Sequence, residues 1–155
     1  NGIRLAQAEA LTRSQQTVFV LTNGAPAWNS TPVDDGANWA VHAQPRANSA
    51  EAAANASEAT HPFIEGGTQA SAAGVSITGP GLLCFNASGR ITTSTSTAVP
   101  NAGAVTCAAT FPITYEVKHG TTVDRTYKVL VSVGGRIRMC DAGKTLSSDN
   151  PDGCP

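Results

Sequence analysis

The chain has 155 residues, 10 Lys plus Arg against 11 Asp plus Glu, a formal net charge of −1, and only 14% charged residues. That length suits one domain with a core of its own, and the near-neutral balance excludes attachment to nucleic acid or anionic lipid by bulk charge while leaving room for a local patch. Ala, Gly, Ser and Thr are abundant, a weakly charged polar surface closer to that of a secreted or assembling protein than of a cytosolic enzyme.

Residues 1–16 read as a helix in which Ile3, Leu5, Ala6, Ala8, Ala10 and Leu11 mix with Arg4, Gln7, Glu9, Arg13, Gln15 and Gln16. No S/T-x-x-E capping box precedes the run, and a helix with no start signal is expected to be the end of a longer one. The expectation is the soluble part of a protein whose preceding half-helix lies in a membrane. A β-rich head follows over 17–155. Thr17-Val18-Phe19-Val20-Leu21-Thr22 is a strand stopped by Asn23-Gly24, and Trp39-Ala40-Val41-His42 is a second. Residues 46–73 are rich in Ala, Ser, Asn and Thr with only Phe63 and Ile64 as large apolar residues, and read as an insertion with room for one short helix near 50–59. Leu82-Leu83-Cys84-Phe85 and Arg90-Ile91-Thr92 flank a turn at Asn86-Ala87-Ser88-Gly89, a hairpin pattern. Residues 93–103 form a low-complexity loop, and residues 111–118 (FPITYEVK) are a strand. One helix followed by six to eight short strands makes the fold class α+β with antiparallel sheets.

The next hairpin fixes its own register. Tyr127, Val129, Val131 and Val133 alternate with Lys128, Leu130 and Ser132, and Ile137 and Met139 alternate with Arg136 and Arg138. A two-residue Gly134-Gly135 loop would set Val133 opposite Arg136 and mix charge into the apolar face. A three-residue loop, Val133-Gly134-Gly135, pairs Ser132 with Arg136 and Leu130 with Arg138, and sets Val131 beside Ile137 and Val129 beside Met139. Because a one-residue slip turns every side chain to the other face, the pattern favours the three-residue loop. Lys128, Arg136 and Arg138 then share one exposed face, by default a solvated one.

The four cysteines, Cys84, Cys107, Cys140 and Cys154, lack C-x-x-C or zinc-type spacing and read as two disulfides formed in an oxidising compartment. Three pairings are open. Cys140–Cys154 is favoured because it staples the Ser-, Asp-, Asn-, Gly- and Pro-rich tail 140–154, a closure contributing roughly 3 kcal/mol in the chain-entropy picture; Cys84 and Cys107 then pair. The chain carries no nucleophile elbow, HExxH or Walker sequence. Asp34-Asp35-Gly36 and residues 149–153 lack EF-hand ligand spacing and read as turns. No catalytic residue, metal or cofactor is expected.

Several segments carry a resemblance to a known family. Ala8-Glu9-Ala10-Leu11-Thr12-Arg13 is similar to its helix end, Trp39-Ala40-Val41 to its GWxV strand, and Phe85-Asn86-Ala87-Ser88-Gly89-Arg90 to its FxxxGR hairpin. Gly135-Arg136-Ile137-Arg138-Met139-Cys140-Asp141 matches its GRxRxCD ending, with a second cysteine at Cys154. Together they resemble the FimT/FimU/GspH class of type IV minor pilins and pseudopilins. The resemblance implies a pilin-like head, a single ectodomain over 1–155, packed on the C-terminal half of a pilin helix whose hydrophobic first half joins other major and minor pilins. It also implies a bacterial inner-membrane protein with a periplasmic head, later part of a surface pilus. The expected role is a minor pilin near the pilus tip, supporting assembly. One alternative is sequence-independent binding of double-stranded DNA during natural transformation, and another is a type II secretion pseudopilin, although the paired terminal cysteines are closer to FimT or FimU.

The DNA alternative has a physical outline. Arg136 and Arg138, two apart on a strand, project the same way about 7 Å apart, near the phosphate spacing of one strand. From residue 112 to 144 there are six bases (Lys118, Arg125, Lys128, Arg136, Arg138, Lys144) against Glu116, Asp124 and Asp141, so Lys118, Arg125, Lys128 and Lys144 extend the candidate patch. No aromatic cluster offers a stacking platform, since Tyr127 is expected to face the core. The competing role for the arginines is to hydrogen-bond the Cys140–Cys154 loop.

Overall fold

The computed structural model describes residues 1–45, 57–68, 74–93, 97–99, 103–120 and 125–155. One helix, α1 (Gly2–Arg13), leads into β1 (Thr17–Thr22), β2 (Asn38–Ala43), β3 (Phe63–Thr68), β4 (Val75–Thr78) and β5 (Leu82–Phe85). A small ribbon, β6 (Thr97–Val99) with β7 (Gly103–Val105), precedes β8 (Ile113–His119), β9 (Arg125–Val131), β10 (Ile137–Thr145) and β11 (Gly153–Cys154). A four-stranded antiparallel sheet has the order β3-β2-β1-β5, and a five-stranded mixed sheet has the order β11-β10-β9-β8-β4. The fold is α+β, with the helix laid on the first sheet.

The helix stops at Arg13 and not at residue 16 because Ser14 adopts a left-handed conformation with φ 50°, and the Gln15 amide turns back to the Ala10 carbonyl. Ala6 and Ala10, four residues apart and fully buried, let the helix lie close against the sheet. The Thr17 hydroxyl then donates to the Ala6 carbonyl at 2.6 Å, fastening the start of β1 beneath the helix.

Strand β1 is buried at all six positions because both of its faces are covered. Phe19 and Leu21 join Ile3, Val41, Leu83 and Phe85 in the layer between the helix and the sheets, which Ile113, Tyr115 and Val131 close from the second sheet. Phe19 stacks on Trp39 with centroids 6.2 Å apart and meets the edge of Tyr115 at 5.8 Å. On the opposite face Val18 and Val20 pack with Ala40, Leu82 and the Cys84–Cys107 disulfide. This two-sided burial explains why β1 reads TVFVLT, a near-continuous apolar run and not an alternating one.

The expected hairpin register is the observed one. Val131 pairs with Ile137, Leu130 with Arg138 and Val129 with Met139, and Gly135 takes φ 84° at the close of the loop. The second disulfide joins Cys140 to Cys154. Three expectations are corrected. The stretch 46–73 is not wholly an excursion, because β3 lies within it and pairs with β2; the short helix near 50–59 falls largely outside the described residues, and 57–60 begin a turn. The loop 93–103 contains β6 and leads directly into β7. The tail 140–154 is ordered by more than its disulfide, since β11 pairs in parallel with β10.

Candidate functional site

The two turns that carry the family resemblance meet in space. Gln7, on the buried stripe of α1, donates from one side-chain nitrogen to the Gly89 carbonyl at 2.8 Å and the Gly135 carbonyl at 2.7 Å. The Ile91 amide donates to the Val133 carbonyl at 3.2 Å. A Cβ on Gly135 would collide with the Gly89 carbonyl oxygen, so the close approach and the positive φ both demand glycine there. Arg90 and Arg136 each follow one of these touching glycines. Both side chains are exposed, and neither makes an ion pair among the described residues.

The remaining members of the expected basic patch divide. Strand pairing sets Glu116 opposite Lys128, and both Lys128 (3.3 Å) and Lys118 (3.1 Å) form ion pairs with that carboxylate. Hydrogen bonds from Lys118 and Lys128 hold the Glu116 carboxyl below its usual range, so it stays ionised and offsets their charge. Arg138 shares the outer face with Lys128, but its Nη2 donates to the carbonyls of Pro151 at 3.1 Å and Gly153 at 2.9 Å. It clamps the disulfide-closed tail, the structural role set against DNA contact at the outset.

Arg125 and Lys144 lie elsewhere. Arg125 alternates with Thr126, Tyr127 and Lys128 along β9, which turns it to the face opposite Lys128. Lys144 forms an ion pair with Asp152 at 2.6 Å and approaches Asp141 at 4.0 Å. Its ammonium pKa is raised and the Asp152 pKa lowered by that same contact. Of the six nominated bases, Arg136 alone is exposed on the outer face with neither an ion pair nor a side-chain clamp among the described residues. Tyr127 lies on the inner face, half-buried at an open end of the sheet, and does not reach the sealed core.

Sequence reasoning passed over Gln7 and Arg90 as site residues. Gln7 had a signal, because it falls four residues after Ile3 and three before Ala10 and is therefore a polar residue on the apolar stripe. Arg90 had none, since its proximity to Arg136 depends on two turns meeting across 46 residues of chain. Where the first turn of α1 meets the inner face of the five-stranded sheet, Ile3, Arg4, Trp39, Tyr115, Val129 and Met139 line a groove of about 380 Å³. Among the described residues no group of three or more His, Cys, Asp and Glu is placed to hold a metal ion, and no helix is long and apolar enough to cross a membrane. Compared with protein-family models, curated proteins and solved structures, the chain matches none.

Proposed function

We propose that this chain is the head of a noncatalytic minor pilin, incorporated near the tip of a bacterial type IV pilus and supporting its assembly. The observation that carries the reading is the Gln7 bridge. It ties the helix to the FNASGR turn and the GGRIRMC hairpin, so that three of the segments resembling the minor-pilin class form one contact unit. A fourth joins at the other end of the helix, where the Trp39 ring lies over Gly2 so closely that a Cβ would fall 2.6 Å from it. Full-length protein should be recovered with pilins in sheared surface fibres, and deleting its gene should lower fibre number. Unchanged fibre number together with absence from sheared fibres would overturn the assembly role.

Exposed Arg136 and exposed Arg90, each next in sequence to one of the two touching glycines, support a second role, sequence-independent binding of double-stranded DNA through phosphates. With two phosphate contacts, raising salt from about 50 to about 200 mM should weaken binding roughly tenfold. Arg136→Ala and Arg90→Ala should each reduce binding at unchanged melting temperature. Full binding by the double variant would reject these arginines as the site. Arg138→Ala is unsuited to this test, because it also releases the tail.

A further inference from the structure

His42 is the most unusual group in the core. It lies on the face of β2 turned away from the helix, fully buried, and both ring nitrogens lack a hydrogen-bond partner among the described residues. Phe63, the first residue of β3, sets its ring edgewise against it at 5.9 Å. His61, two residues earlier, is 3% exposed; its Nδ1 lies 3.0 Å from the Thr60 hydroxyl and its Nε2 has no partner among the described residues. Gln44, just past the end of β2, is also buried with an unpartnered amide nitrogen. Natural cores rarely leave such groups unsatisfied, and a concentration of them in one place asks for a reason.

Among the described residues the surroundings offer no counter-charge. On β1 Val18 pairs directly with His42, on the sheet face whose apolar layer also holds Val20, Leu82 and the disulfide-locked Cys84. From β3 the ring meets Phe63, and from the preceding turn the second imidazole, His61. Glu65 pairs with Val41, whose side chain belongs to the helix-facing layer. Glu58 is exposed and makes no ion pair among the described residues. Burial, and after it the nearby His61, lowers the His42 pKa to about 4, and burial lowers that of His61 as well. Protonation of either ring therefore places an unpaired charge in an apolar layer, and the second proton adds repulsion to desolvation.

One wall of this chamber is weaker than the others. Strand β3 is an edge strand whose sheet neighbour is β2, its register shifts between Val41 and His42, and its residues are half-buried or exposed. Among the described residues the other walls are β1 and β5, buried throughout, and the β6–β7 ribbon, whose Val99 and Val105 pack into the same apolar layer. Local opening follows the least-buried cooperative unit. We propose that His42 and His61 form an acid-released latch: on protonation, the 57–61 turn and β3 lift away from β2 while the rest of both sheets stays paired. Opening admits water to both imidazoles and frees the edge of β2. The device is independent of the pilin and DNA readings.

Hydrogen exchange on the intact chain tests it, with rates corrected for intrinsic pH dependence. Taking about 4 for the closed His42 pKa and about 6.5 for an open one, linkage predicts that opening at pH 4 is favoured about 100-fold over pH 7. Protection of residues 63–68 should fall by that order, while β1 and β9 keep theirs. His42→Phe should abolish the loss, and His61→Phe should reduce it. Three results would overturn the latch: a change in β3 below about threefold, a loss shared equally by β1 and β9, or an unchanged loss in His42→Phe. Should His42→Phe fail to fold, the wild-type His42 ring resonance decides. Its titration must coincide with β3 opening, and titration near 6.5 with β3 still protected would refute the proposal.

Discussion

Replacing Gln7 with alanine should destabilise the protein by about 2 kcal/mol. The side-chain amide makes two hydrogen bonds, to Gly89 and Gly135, each worth about 1 kcal/mol net. Alanine's better helix propensity returns only a few tenths. In a domain of this size each kcal/mol lowers the melting temperature by roughly 2–4 °C, so calorimetry should show a fall of about 4–8 °C. Gln7→Glu sharpens the test. An ionised carboxylate accepts hydrogen bonds and cannot donate, so at pH 7 it faces two carbonyl oxygens with nothing to give. It should melt below Gln7→Ala at neutral pH and recover relative to wild type as acid restores an O–H donor; the two carbonyls raise the folded carboxyl's pKa, so recovery begins above the ordinary value of about 4.3 and is complete below it. If Gln7→Ala melts within about 1 °C of wild type and Gln7→Glu tracks wild type across pH, the bridge contributes nothing and the two turns hold each other by other means.

Converting Cys140 and Cys154 together to serine should cost roughly 3 kcal/mol in urea unfolding, because the closed loop spans 14 residues of separation; a loss below about 1 kcal/mol would mean that β11 pairing and the Arg138 clamp suffice. Gly135→Ala should destabilise by at least about 1 kcal/mol, since φ 84° and the neighbouring Gly89 carbonyl both oppose a Cβ; a neutral result in thermal melts would refute that contact. Arg138→Lys should loosen the tail nearly as much as Arg138→Ala, because a lysine lacks the planar fork; faster exchange at residues 150–154 would report it, and full protection in Arg138→Lys would deny the clamp. Stability should also fall as pH drops from about 6.5 to 4. The unfolded imidazole of His42 takes a proton that the folded one refuses until about pH 4, a loss of up to about 3 kcal/mol present in full below that value and absent above pH 7. Equal urea midpoints at pH 7 and pH 4 would contradict the burial of His42 as a neutral ring.

Where the chain's own pattern left one acceptable solution, sequence reading found it. The β9–β10 register was legible because the two-residue loop, one residue out of step, drives Arg136 and Arg138 into the apolar face. Strands β1 and β5 announced themselves as unbroken apolar runs. By contrast, β3 reads Phe63-Ile64-Glu65-Gly66-Gly67-Thr68, and its paired glycines look like a turn. Their cause lies in other elements: a Cβ on Gly67 would strike the Trp39 indole at 2.5 Å, and one on Gly66 would strike Pro26. The four residues of β4 and the two of β11 are too short for a period to show, and the Cys140–Cys154 bond together with the Arg138 clamp help hold β11 against β10. The division of the basic patch was partly legible. Arg125 and Lys128 are three residues apart on one strand, an odd spacing that places them on opposite faces. Glu116 as the shared partner of Lys118 and Lys128 was not, because it required the β8–β9 register.

Gln7 bonds to Gly135 across 128 residues of sequence, and this has a consequence for how the molecule is made. Synthesis delivers α1 and β1 before the β9–β10 hairpin, yet the helix cannot complete its seat until that hairpin has been delivered. Until then the apolar layer under α1 lacks Val131 of the second sheet, and such long-range closure favours slow folding with apolar surface open in the meantime. Synthesis that stalls before residue 135 leaves α1 without this partner and its apolar face open to proteases, so delivery of the β9–β10 hairpin acts as a release check on the seating of the helix.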